Sequence, residues 1–192
     1  MQRVFMLSTS IAVMAWAANA VADSPNLKGD YGFTRTVRCI VSTDSSFPHD
    51  MTFGEAFAEE GVRTFNGDGN GKQSFRALNI EIPAAHSGAN SSHVKDQGFA
   101  YVVGDDGKWS SQGGGSITGT VDTGPRHDQM FTIFPIGPSL GHISTNAATL
   151  TLSTVTPTIE TITYSSPIPD GYTTFYRVCN RSSVEISLPP GH

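Results

Sequence analysis

The sequence predicts an all-β fold: a single antiparallel β-barrel of about eight to ten strands, with a β-sandwich as the alternative. Three observations predict it. Apolar residues recur with period two rather than 3.6, beginning with Tyr31, Phe33, Val37, Cys39 and Val41. Leucine is scarce after residue 22, limited to Leu27, Leu78, Leu140, Leu150, Leu152 and Leu188, so long core-facing helices lack their usual residue. Clusters of Gly, Asn, Asp and Pro cut the chain at short intervals, as tight turns between strands do.

The chain opens with a secretory leader. Residues 1–22 carry Arg3, then an apolar stretch over 4–18, then small residues suited to cleavage. Two sites overlap, Ala18-Asn19-Ala20 and Ala20-Val21-Ala22; the second is preferred and makes Asp23 the mature N-terminus. The expected organisation is therefore a signal peptide, 1–22, and one β-barrel domain, 23–192. The expected location is the periplasm or the extracellular medium. The net charge of -5 becomes one unit more negative without Arg3, and Lys28, Lys72, Lys95 and Lys108 form no basic run. Nucleic acid is not expected as a partner on that ground, an anionic membrane surface is disfavoured, and the chain is not expected to be an integral membrane protein.

Each element follows from its pattern. Residues 31–42 alternate as a half-buried strand that places Arg35 on the apolar face. Residues 51–60 read as a strand, with a short helix capped by Asp50 as the alternative. Residues 61–66, the turn at 67–71 and residues 72–83 form the clearest hairpin, because Gly and Asn tolerate the positive φ of tight turns. Residues 84–92 read as a loop. Residues 99–103 and 108–111 form a second hairpin around Gly104-Asp105-Asp106-Gly107. Gly113-Gly114-Gly115 breaks the chain before a strand over 116–121. A loop at 124–128 and a short strand at 130–134 follow. Residues 135–146 are punctuated by Gly137, Pro138 and Gly141 and read as a loop. Strands are expected at 148–155, 159–164, 172–179 and 184–188, with a turn at 167–171.

Cys39 falls in the first mature strand and Cys179 near the last. Barrel closure makes those strands neighbours, so a Cys39–Cys179 disulfide is expected in an exported chain. Such a staple stabilises by up to about 5 kcal/mol through the unfolded state.

Several motifs reduce to turns or loops. Asn66-Gly67-Asp68-Gly69-Asn70-Gly71 has the oxygen donors of a calcium loop but places Ala77 where a bidentate Glu belongs. Gly137-Pro138-Ser139-Leu140-Gly141 matches the nucleophile elbow in letters, without the helix that would lift Ser139. His49, His86, His93, His127, His142 and His192 lack zinc spacing. Asn90-Ser91-Ser92 and Asn180-Arg181-Ser182 match the glycosylation acceptor. No residue is assigned a catalytic, cofactor or metal role, and no cofactor is expected.

The arginines carry the remaining signal. Arg35 lies on the apolar face of its strand, Arg177 and Arg181 share a face with Cys179, and Arg63 and Arg76 flank the first hairpin. A guanidinium inside a barrel requires a partner. The structural solution is an ion pair with Glu55, Glu160 or Glu185. The functional one is a site at the barrel mouth for a carboxylate-bearing ligand, formed by Arg35, Arg177 and Tyr176. The aromatics Phe33, Phe53, Phe57, Phe99, Tyr101, Phe131, Phe134, Phe175 and Tyr176 are expected to line an interior able to take a small apolar ligand. Enzymatic activity as an isomerase or cyclase is a second reading, and a ligand-free envelope interaction module a third. An outer-membrane barrel is disfavoured: aromatic girdles are missing and the chain ends in Pro189-Pro190-Gly191-His192.

Five segments, 27–36, 61–71 (GVRTFNGDGNG), 99–109 (FAYVVGDDGKW), 124–126 and 177–182 (RVCNRS), resemble those of a group of small uncharacterised exported bacterial proteins. The resemblance implies export and bacterial origin. In strand count and size the chain also resembles small secreted barrels of the lipocalin and allene oxide cyclase type. It departs from lipocalins in carrying Gly29-Asp30-Tyr31 where a Gly-x-Trp motif would stand, and no catalytic residue carries over.

Overall fold

A computed structural model describes residues 27–45, 53–82, 89–166 and 173–190. The expected signal peptide lies outside these residues. Eleven strands follow in order: β1 Lys28–Ser42, β2 Phe53–Asn66, β3 Asn70–Ile82, β4 Ala89–Val103, β5 Lys108–Ser111, β6 Ile117–Thr123, β7 Met130–Phe134, β8 Ser139–His142, β9 Thr149–Thr154, β10 Ile159–Tyr164 and β11 Thr174–Ser187. No helix occurs among the described residues. All eleven strands belong to one antiparallel sheet that closes on itself through the additional pairings β1–β11 and β4–β6.

Strand length explains the architecture. β1, β2, β3, β4 and β11 each run 13 to 15 residues, and the other six only 4 to 7. The five long strands span the full height of the molecule. β4 pairs with β6 through Ser91–His93 and with β5 through Tyr101–Val103. β11 pairs with β10 through Thr174–Val178 and with β9 through Ser182–Ile186. The short strands thus stack in two tiers, β6-β7-β10 and β5-β8-β9, and each tier closes an eight-stranded circuit with the same long strands. An eight-stranded circuit is just wide enough for side chains to fill.

Each tier has its own core. Around β6-β7-β10 pack Phe33, Val37, Val41, Phe75, Val94, Val121, Phe131, Ile162 and Phe175. Around β5-β8-β9 pack Leu27, Tyr31, Phe65, Tyr101, Trp109, Leu150 and Leu152. Phe65 is the hub of this second core. Its ring meets Tyr31, Phe99, Tyr101 and Trp109 edge-on, with centroids 4.9 to 5.5 Å away, the geometry that aromatic quadrupoles favour.

The disulfide Cys39–Cys179 is formed, between residues directly opposed on β1 and β11 with Cα atoms 4.1 Å apart. Both expected hairpins form, with Gly67, Gly69 and Gly107 at positive φ. The 51–60 segment is a strand from Phe53 onward. Four expectations are corrected. Residues 89–92 belong to β4, not a loop, because Asn90 pairs with Asn79 and Ser92 with Ala77. The segments at 172–179 and 184–188 merge into β11, whose middle is held by β1. Ser139–His142 is a strand between β5 and β9. Phe134 points outward and is 54% exposed, so it does not line the interior; the side chain of Phe53 lies outside the described residues.

Candidate functional site

Between the two cores lies a belt of charge. Period-two alternation aims Arg35 on β1, Glu55, Glu59 and Arg63 on β2, Glu160 on β10, and Arg177, Arg181 and Glu185 on β11 toward the interior, beside apolar neighbours of the same parity. Four arginines meet four glutamates. Arg35 binds Glu59 and Arg63 binds Glu185. Arg177 donates to Glu160 at 3.2 Å and to Glu55 at 3.3 Å. Arg181 donates to Glu160 at 2.5 Å. The structural pairing anticipated for these arginines is therefore present, and Glu55, Glu160 and Glu185 all take part.

The belt is buried, and burial shifts the pKa values of its members. Burial lowers Arg63 to about 10, against the opposing charge of Glu185. Burial raises Glu185 above the usual carboxylate range, outweighing Arg63 and Arg35. Burial also pushes Glu160 upward, but the charges of Arg177 and Arg181 and their hydrogen bonds overcome it and hold Glu160 below its usual value. Aromatic faces complete the environment. The Arg63 guanidinium lies 5.2 Å from the Phe33 and Phe99 rings and 5.5 Å from Trp109, so it joins the two cores through cation–π contacts.

The belt is reached from the side. β4 changes partner between His93 and Tyr101, and the short tiers part there. The 112–116 and 135–138 connections cross the gap, joined by Gly114 N to Ile136 O at 2.8 Å and Ile136 N to Gly115 O at 2.9 Å. Beside them opens a cleft of about 540 Å³, lined by Arg35, Arg63, Gln73, Gln97, Phe99 and Arg181 among others. Gln73 accepts from Arg63 at 3.0 Å.

Of the three residues expected to bind a ligand, Arg35 lines this cleft. Arg177 lies deeper in the belt, and Tyr176 alternates to the other face of β11, opposite Ser42 and Thr161. The structure does not bring Tyr176 to the two arginines. Sequence reasoning passed over Glu59 and the inward turn of Arg63, although both share the parity of Phe57 and Phe65 on β2. It also passed over Arg126. That loop residue is 1% exposed, donates to Tyr164 Oη at 2.6 Å and stacks 4.3 Å from its ring. A loop has no periodicity that could have revealed it. Burial raises the Tyr164 hydroxyl to about 12, even against Arg126.

The remaining motifs stay structural. Ser139 is buried within β8 and forms no elbow. Asp68 Oδ1 accepts from the Asn70 amide at 2.9 Å, an Asx turn closing the first hairpin. Asn90 is 5% exposed, so the first glycosylation motif is not on the folded surface. Among the described residues no three His, Cys, Asp or Glu side chains gather as a metal site. No protein-family model, curated protein or solved structure matches the chain.

Proposed function

We propose that this chain is an exported binding module that takes a small carboxylate-bearing ligand in the lateral cleft. The observation that carries the reading is the convergence of Arg35, Arg63 and Arg181 on one opening of about 540 Å³. Small-molecule sites commonly measure roughly 300–1,000 Å³ and place a few polar groups among apolar walls. A guanidinium offers five N–H donors in a fork that matches a carboxylate. Arg181 uses Nη2 on Glu160, which leaves its other N–H groups for a ligand. Phe99 supplies an apolar wall at the same cleft.

The two aromatic cores leave no axial space of ligand size in the interior, which favours the side cleft over an axial pocket and a carboxylate over a wholly apolar ligand. The resemblance to lipocalins in strand count and size then does not extend to the position of the ligand. The glutamates of the belt are each engaged by a guanidinium, which favours binding over isomerase or cyclase chemistry. The buried disulfide agrees with an oxidising, exported location. Among the described residues no helix is long and apolar enough to cross a membrane. A ligand-free interaction module is the second reading. It draws on exposed Val62 and Ile186, which flank Gly32 on adjacent strands.

Native mass spectrometry of the chain, purified from its secretory compartment without reductant, tests the proposal. The expected result is an adduct of small-molecule mass that leaves on denaturation. Gln112→Trp, at the exposed lip, should abolish the adduct without touching the belt. A clean apo mass, together with no saturable binding across a panel of small carboxylates, would favour the interaction module instead.

A further inference from the structure

Behind the belt, on the side of the β6-β7-β10 tier, the interior is not solid. A chamber of about 40 Å³ lies there, walled by apolar Ile117 and Phe131, by Arg35 and Arg177 of the belt, and by Asn79 and Asn90. These two asparagines are directly opposed on β3 and β4 and are 3% and 5% exposed. Direct register places two Cβ atoms roughly 5 Å apart, within reach of one small molecule.

Their amides do not satisfy each other. Asn79 Nδ2 donates to Glu55 Oε1 at 3.3 Å, which fixes the orientation of that amide and leaves Oδ1 without a partner. Asn90 Nδ2 is likewise buried without a partner. One chamber therefore presents an unanswered acceptor and an unanswered donor from adjacent strands. Groups buried this deeply in a native fold are almost always hydrogen-bonded, to protein or to ordered water.

We infer that the chamber is a built hydration site in which ordered water bridges Asn79 Oδ1 and Asn90 Nδ2. Three arguments select water. About 40 Å³ is room for roughly two or three water molecules. The occupant must accept from one amide and donate to the other, which a simple ion of either sign cannot do. Rotating the Asn90 amide would exchange its donor for an acceptor, and water answers both. The chamber shares Arg35, Ile117 and Arg181 with the lateral cleft, but neither asparagine lines the cleft, so the inference does not depend on any ligand there. The water links β3 to β4 where a direct side-chain bond is not made.

A crystal structure of the full chain that resolves ordered solvent, repeated under xenon pressure, tests this. The expected result is a density peak within hydrogen-bond distance of both Asn79 Oδ1 and Asn90 Nδ2, with no xenon in the chamber. An empty chamber, directly paired amides or bound xenon would overturn the inference. Oxygen-17 relaxation dispersion supplies a second readout in solution. Wild type should show at least one long-lived internal water that the near-isosteric Asn90→Leu loses. An unchanged count in a folded variant would also overturn it. Should Asn90→Leu fail to fold, the wild-type density and the xenon result decide the matter.

Discussion

Glu160 and Glu185 face the same interior yet shift in opposite directions, and the cause lies in their partners. Glu160 answers two guanidiniums and Glu185 only one, although both are fully buried and each leaves one carboxylate oxygen without a partner. Stability follows from the sign of each shift. The Glu160 contribution is full above the unfolded carboxyl value and is lost as pH falls through the lower folded value. The Glu185 contribution is full below the unfolded value and is lost as pH rises through the higher folded one. Urea denaturation across acidic to neutral pH should therefore separate two variants. Glu160→Gln should lose stability at neutral pH and show a flatter acid limb than wild type. Glu185→Gln should leave the acid limb in place and cost least toward neutral pH. Identical pH profiles for the two variants would refute this division of roles. Breaking a buried pair outright is harsher: removing one partner typically costs about 3–5 kcal/mol, because the other charge stays buried.

At the scale of the element, β8 shows how a motif can mislead. Gly141 closes the G-x-S-x-G pattern, but its work is steric. A Cβ on Gly141 would lie 1.7 Å from the Thr151 carbonyl oxygen and 2.8 Å from Trp109 Nε1. The glycine lets β8 slide against β9 while Trp109 donates to that carbonyl at 3.0 Å. Gly141→Ala should destabilise by about 3 kcal/mol, since backbone cannot yield as a flexible side chain would. A thermal midpoint within a degree or two of wild type would remove the steric argument. The same strand marks the limit of what the sequence discloses. β1 was legible because alternating apolar residues and one misplaced arginine share a strand. The β1–β11 closure was legible because two cysteines sat near the chain's ends. β8 and the start of β4 were not, because Ser, Asn and Gly in them resemble loop residues and gain strand geometry only from neighbours far away in sequence. The cleft was not legible either. It arises from β4 and β11 each changing partner midway, and no local pattern encodes a change of partner.

At the scale of the whole molecule, the sharing of long strands makes a thermodynamic claim. Two cores separated by a charged belt suggest two units that unfold separately. β1, β2, β3, β4 and β11 run through both, however, so neither tier can open without removing strands from the other. Arg63, set against Phe33 of one core and Trp109 of the other, ties them at the centre. Unfolding should then be one cooperative transition despite the internal division. Trp109, 1% exposed, is the single tryptophan beyond the expected leader and reports on the β5-β8-β9 tier alone. Near-ultraviolet dichroism, to which Tyr164 and Phe131 also contribute, reports on both tiers. The two signals should trace the same midpoint and slope in urea. A Trp109 transition displaced from the dichroism would mean that the tiers are separable, and that the belt acts as a boundary between them rather than as the joint that the shared strands imply.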